Sequence, residues 1–253
     1  MFENKNTFKK LNLSVRAKSR TLRSYLDFAR CSRKYIFSLF ILISLCFQNC
    51  APTRFVKPLA KNQNAIAANL GGPLIHFGKA VTPIPFTSLM YGRGITNSTT
   101  AFVSVHTTAM LYGNFQTDIG VCQSLYKNDS LKFGITLNPA INMVYDKWNQ
   151  NFRAWPELDI NLYKDILKQK AFVYIGLTNW FELASKKAHN ETQQNHALIN
   201  PHIGMTYNTK KWGYTLECKF LQMNKNNKPN VVDYVGIQQK GAVGIYLNFA
   251  RRF

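Results

Sequence analysis

No stretch of this chain is apolar for long enough to cross a membrane as a helix. The longest uncharged apolar run, residues 36–47 (IFSLFILISLCF), has 12 residues, whereas a bilayer-spanning helix needs about 20. Cysteine is scarce: five in 253 residues, with only Cys122 and Cys218 beyond residue 50. Two thiols so far apart form no disulfide framework, and no His/Cys spacing suits zinc, so no metal is expected. A glycine-rich phosphate loop, HExxH and Gly-x-Ser-x-Gly are all missing. Their absence removes the sequence case for nucleotide, metalloprotease or elbow-type hydrolase chemistry, and no cofactor is implied. Helical periodicity is lacking too, apart from a short turn near residues 164–168. Acidic residues are few, 12 against 32 Lys and Arg, which leaves a net charge of +20. Such a balance invites a nucleic-acid reading. Beyond Cys50, however, the basic residues stand singly among Asn, Gln and Tyr, with no basic helix, and nucleic acid is not an expected partner.

What is present begins with export. Ten Lys and Arg crowd the first 34 residues. They precede an apolar run of the right length for the h-region of a secretory signal. The run leads into FQNC, then APTRFVKP. A cysteine just past an h-region resembles the lipobox of bacterial lipoproteins, which implies that Cys50 is lipidated as the first mature residue. Phe47 and Asn49 depart from the usual aliphatic and small residues there. An uncleaved N-terminal anchor is the alternative. Residues 1–49 are thus read as a signal segment, 50–63 as a lipidated N-terminus and linker, and 64–253 as one β-domain.

Within that domain the side chains alternate. In residues 131–146, Leu131, Phe133, Ile135, Leu137, Ile141, Met143 and Tyr145 share one face; Lys132, Gly134, Thr136, Asn138 and Asn142 share the other. Period two is the mark of a strand with one apolar and one polar face. Leu158, Ile160 and Leu162 oppose Glu157, Asp159 and Asn161; Leu216 and Cys218 oppose Glu217 and Lys219. Ile203 and Met205 oppose His202 and Gly204. Short connections (TNSTT, YKNDS, KDILKQ, NTKK) alternate with long ones, except for a tight turn at residues 112–114. The first strand is taken as residues 64–70, and the second has irregular faces because of Pro83 and Pro85. Pro156 and Pro201 are expected at bulges, Gly92 and Gly94 at kinks, and Trp155 and Trp180 in interfacial girdles with other aromatics. The expected fold is all-β: an antiparallel up-and-down transmembrane β-barrel of about ten strands with a polar lumen.

The chain ends GAVGIYLNFARRF. This segment resembles the last strand of bacterial outer-membrane β-barrels, which commonly ends in an aromatic residue. The resemblance implies that Phe253 is a signal to the barrel assembly machinery. It also implies outer-membrane lipid as the surroundings, and both termini on the periplasmic side.

For chemistry, Ser104, His106 and Asp118 fall on adjacent strands and supply the residue types of a nucleophile–base–orienter set. Lys132, Glu157, Asp159, His202, Glu217 and Lys219 are placed in the lumen, where paired charges fill a narrow barrel. The reading is an outer-membrane barrel lipoprotein of structural, adhesive or narrow-pore type, without an identifiable catalytic activity. Two alternatives are a barrel hydrolase of lipid or peptide, and a soluble periplasmic barrel lipoprotein with an apolar ligand.

Overall fold

The computed structural model describes residues 53–186, 192–227 and 232–253. The expected signal segment and Cys50 lie outside the described residues. The strands are β1 (Asn64–Phe77), β2 (Ala80–Pro83), β3 (Phe86–Gly94), β4 (Thr99–Val105), β5 (Asn114–Asn128) and β6 (Phe133–Asp146). They continue as β7 (Asn151–Ile166), β8 (Ala171–Phe181), β9 (Ala197–Asn208), β10 (Trp212–Asn226) and β11 (Lys240–Arg252). One short helix, α1 (Thr107–Leu111), lies between β4 and β5. β1 pairs antiparallel with both β2 and β3, each strand from β3 to β10 pairs antiparallel with the next, and β11 pairs with β1 from Ala65–Arg252 to Pro73–Gly244. The ladder closes into a ring of ten strands; β2 stands outside it, as a hairpin on the far end of β1. Phe253 completes the seam, exchanging backbone hydrogen bonds with Asn64 at 2.9 Å in both directions.

The connections at residues 95–98, 129–132, 167–170 and 209–211 are short and share an end with the seam at Asn64 and Phe253. At the other end four of the five connections between ring strands are longer, but residues 147–150 join β6 to β7 in a four-residue turn. Three expectations about this end change. The connection read as tight at residues 112–114 starts at His106 and contains α1. The first strand runs through Gly71 and Gly72 to Phe77, so the expected loop at residues 71–83 is largely β1 and β2. The second strand alternates cleanly once it starts at Phe86, beyond both prolines.

Pro156 and Pro201 sit in regular register without bulges. Pro156 lies one residue past the last β7–β8 rung, Glu157–Trp180, and Pro201 one past the last β9–β10 rung, His202–Lys219. One edge of the strand is unpaired at each place, so a missing N–H there breaks no rung. Recorded register shifts fall elsewhere, between Ser124 and Tyr126 and between Leu221 and Asn226.

The wall is sorted by polarity. On β7, Leu158, Ile160 and Leu162 are 37–44% exposed, whereas Glu157, Asp159 and Asn161 are 1–6% exposed. Ile66, Val103, Ile119, Ile141, Ile175, Ile203, Leu216 and Phe249 continue the exposed apolar surface around the ring. Tyr91, Tyr126, Tyr207 and Trp212 face outward near the short-turn end. Trp155 and Trp180 do not join them. Each is 1% exposed, and they pack inside with Leu198. Lys132 also differs from expectation: its backbone takes a left-handed φ of 55° in the turn before β6, and its side chain is exposed rather than luminal. A turn of four residues between tightly paired strands forces that conformation, and it removes Lys132 from the alternation.

Residues 53–63 are the largest departure. Read as a linker, they run inside the ring instead. Thr53, Arg54, Val56 and Leu59 are buried. The Leu59 amide donates to Thr100 Oγ1 at 2.7 Å, and the Val56 and Phe55 carbonyls accept from Thr136 Oγ1 at 2.8 Å and Asn138 Nδ2 at 3.1 Å. Two backbone bonds between this stretch and Gly94 anchor its end, Asn62 N–Gly94 O at 2.8 Å and Gly94 N–Gln63 O at 2.9 Å. Gly92 and Gly94 are not kinks but clearances: a Cβ at Gly92 would strike the Phe55 ring, and one at Gly94 would strike the Ala60 carbonyl. The wall omits side chains where the inner segment crosses it.

Candidate functional site

The inner segment places two cations in the lumen, three residues apart. Arg54 is almost fully enclosed. Its Nη1 pairs with Glu157 Oε2, its Nη2 stands 3.5 Å from Asp118 Oδ1, and its guanidinium carbon lies 5.7 Å from the centre of the Phe102 ring. Lys57, nearer the short-turn end, donates to both oxygens of Asp165 at 2.7 and 3.0 Å. Its ammonium also lies 4.7 Å from the Tyr163 ring centre and 5.3 Å from that of Phe172. Each cation therefore meets a carboxylate and an aromatic face, the two groups that attract a cation most strongly out of water.

Among the described residues, four carboxylates are fully enclosed: Asp118, Glu157, Asp159 and Glu217. The wall supplies one permanently charged cation to them, Lys219, whose Nζ lies 3.1 Å from Glu217 Oε1. Glu217 also accepts from Tyr174 Oη at 2.6 Å and from Thr53 Oγ1 at 3.2 Å. Asp159 is held by wall amides and a hydroxyl: Asn138 Nδ2 at 3.1 Å, Asn161 Nδ2 at 2.9 Å and Thr178 Oγ1 at 3.1 Å. His202 Nε2 lies 2.8 Å from Asn161 Oδ1, an oxygen that can only accept, so Nε2 carries the hydrogen. Of the enclosed carboxylates, Glu157 relies most on the inner segment, because its ion pair is with Arg54. Burying an ion is tolerated only when it is paired or multiply hydrogen-bonded. Arg54 therefore acts as a keystone.

Ser104, His106 and Asp118 do come together, but in an order that does not suit catalysis. Ser104 Oγ donates to Asp118 Oδ2 at 2.7 Å, and His106 Nε2 meets that same oxygen at 2.8 Å. Asn142 Nδ2 donates to the other oxygen. A nucleophilic serine must give its proton to a histidine that a carboxylate orients from behind. Here both the hydroxyl and the imidazole give their hydrogens to the carboxylate, and Arg54 covers its remaining face. The set is a hydrogen-bonded anchor for Asp118. Among the described residues no group of His, Cys, Asp and Glu is arranged to hold a metal ion.

The lumen is not fully packed. A cavity of about 710 Å³ lies between the inner segment and the wall, at the short-turn end. Lys57, Phe172, Thr206, Thr215, Asn248 and Arg252 line it.

A closed ladder leaves no unpaired edge, the lumen collects the polar groups, and the exterior is apolar around the whole ring. In water that arrangement would expose the wrong face; in hydrocarbon it satisfies every backbone group internally and leaves only apolar side chains to meet lipid. The chain is a transmembrane β-barrel of the outer-membrane type. The apolar side chains exposed around the whole ring would meet water in a soluble protein, which removes the basis for a soluble ligand-binding barrel. No protein-family model matches the sequence, and no curated protein does either. Solved structures similar to the barrel include an outer-membrane channel from Pseudomonas putida F1, at 8% identity and a TM-score of 0.47 over 80% of this chain and 100% of that one. The NanC porin is similar at 11% identity and 0.38, covering 74% and 98%. LpxR from Salmonella typhimurium is similar at 9% and 0.38, covering 75% and 99%. Likeness at this level leaves the assignment to the barrel's own geometry.

Sequence reasoning missed Arg54 and Lys57. A signal was available: acidic residues fall on inward faces of β5, β7 and β10, and the wall strands offer too few inward cations to balance them.

Proposed function

We propose that this protein is an outer-membrane barrel of the narrow-pore type, held shut at rest by residues 53–63. One observation carries the reading: two of the lumen's cations, Arg54 and Lys57, come from a segment that is not part of the wall. A barrel serving only as an anchor could fill its interior with its own strands. This one leaves an acidic, aromatic-lined space and fills it with a single strand of chain, continuous with the wall only at Asn64. Such a two-part construction suits two states, seated and released.

In this reading the short-turn end faces the periplasm and the longer connections face outward, with Phe253 presented to the assembly machinery. Insertion of a lipid carried by Cys50 belongs to the released state. Ten residues carry the chain from Thr53 to the short-turn mouth, whereas only three separate Thr53 from Cys50, a reach of about 11 Å. A lipid on Cys50 would enter the leaflet at that end only with the segment withdrawn.

Planar-bilayer recording of the full chain tests the proposal. The native protein should be quiet, and R54A should show long, stable openings. Cross-linking V56C to T136C in the R54A background should silence the openings, and reductant should restore them. Barrels of R54A that migrate as folded before boiling yet conduct nothing would falsify the pore reading.

A further inference from the structure

The geometry points to small organic cations bearing guanidinium or amine groups as the solutes this lumen takes, with Arg54 and Lys57 occupying their places at rest. The inference rests on the inner segment being displaceable, and it deepens the pore reading by naming the substrate class.

Two sites of the same chemistry are built into the wall, and each is seen with a cation in it. The deeper one consists of Glu157, Asp118 and the ring of Phe102 around the Arg54 guanidinium. The one nearer the short-turn mouth consists of Asp165 with the rings of Tyr163 and Phe172 around the Lys57 ammonium. A plug needs only volume and backbone hydrogen bonds to close a lumen. These two side chains do more, because each is met by an anion on one side and an aromatic face on another. A hydrated metal ion has little use for a ring face, whereas a guanidinium or an alkylammonium is weakly hydrated enough to stack on one. An anionic solute would meet four enclosed carboxylates. The sites lie three residues apart along one extended segment, roughly 10 Å, so one solute can hold one site while the segment still occupies the other. The cavity beside Lys57 at the short-turn end gives an incoming cation room to approach. Displacement then becomes competition: a solute cation takes the carboxylate and ring that the segment's own cation vacates, and no buried carboxylate is left unpaired during the exchange.

The test follows the segment rather than the current. The full chain carrying V56C is folded in detergent, and maleimide labelling of the introduced thiol is read by peptide mass spectrometry. Methylguanidinium and agmatine at millimolar concentration should raise the labelling rate about fivefold or more over KCl of equal ionic strength. F102L, which keeps the volume but removes the ring, should blunt that response, and so should E157Q if it folds. Equal labelling in KCl and in guanidinium overturns the inference, because screening alone would then explain release. It is likewise overturned if guanidinium has no effect while R54A/V56C labels readily, since the segment can then leave without solute. Guanidinium-dependent labelling together with a silent bilayer would uphold the cation sites and sink the pore reading, so the two failures are distinguishable.

Discussion

Glu157 and Asp159 sit two residues apart on β7 and point the same way into the same lumen, yet they are stabilised in different ways. Asp159 is held by Asn138, Asn161 and Thr178, which belong to β6, β7 and β8. Nothing outside the wall is needed to keep it. Glu157 is paired with Arg54, which belongs to the inner segment. The first carboxylate is a permanent part of the barrel's packing. The second makes the barrel's internal balance conditional on where residues 53–63 are. Two identical side-chain directions on one strand thus separate a structural role from a switching one.

The largest test of that contrast is R54A. It leaves Glu157 without its ion-pair partner, and removing one partner of a buried pair costs about 3–5 kcal/mol. The temperature at which the folded band is lost on unboiled gels should fall by several degrees, and the inner segment should become accessible. The double variant R54A/E157Q should recover more than half of that loss, because the orphaned charge leaves with its partner; strict additivity of the two single effects would show that they are not coupled. D159N should be milder, about 1–3 kcal/mol for one mismatched donor in the cluster. In that variant the introduced thiol of V56C should stay as protected as in the native barrel, and increased labelling would erase the distinction between the two carboxylates. Smallest of all is K132E in the exposed turn, expected within about 0.5 kcal/mol in the same gel assay. A large effect there would return Lys132 to the lumen.

The outer face of the barrel was legible because lipid imposes one rule on every outward position, and the rule has the strand's own period. That period placed Glu157, Asp159, His202, Glu217 and Lys219 inside without any knowledge of their partners. It failed where a residue left the ladder, as Lys132 did in its turn. It also failed for aromatics: Trp155 and Trp180 fit either a girdle or a lumen, and only the pairing of Glu157 with Trp180 decides which way they face. The inner segment was illegible for a different reason. Pro52, Pro58 and mixed polarity suggest a tether, and nothing local in a sequence says that a tether is enclosed. Its traces were distributed, in Gly92 and Gly94, whose missing side chains make sense only once Phe55 and Ala60 lie against them.

The first described residues of the chain are surrounded by a ring that only its last strand completes, and this orders the folding reaction. Contacts such as Thr53 with Glu217 span 164 residues, and loop closure on that scale makes for slow, late-forming interactions. Either the ten strands curl around a segment already lying on the nascent sheet, or the segment threads a finished ring through its short-turn mouth. The first route gives Arg54 a part in bringing Asp118 on β5 and Glu157 on β7 onto one concave surface before β11 meets β1. On that route R54A slows barrel closure as well as loosening the finished product. The same side chain would then serve as a template during assembly and as a gate afterwards.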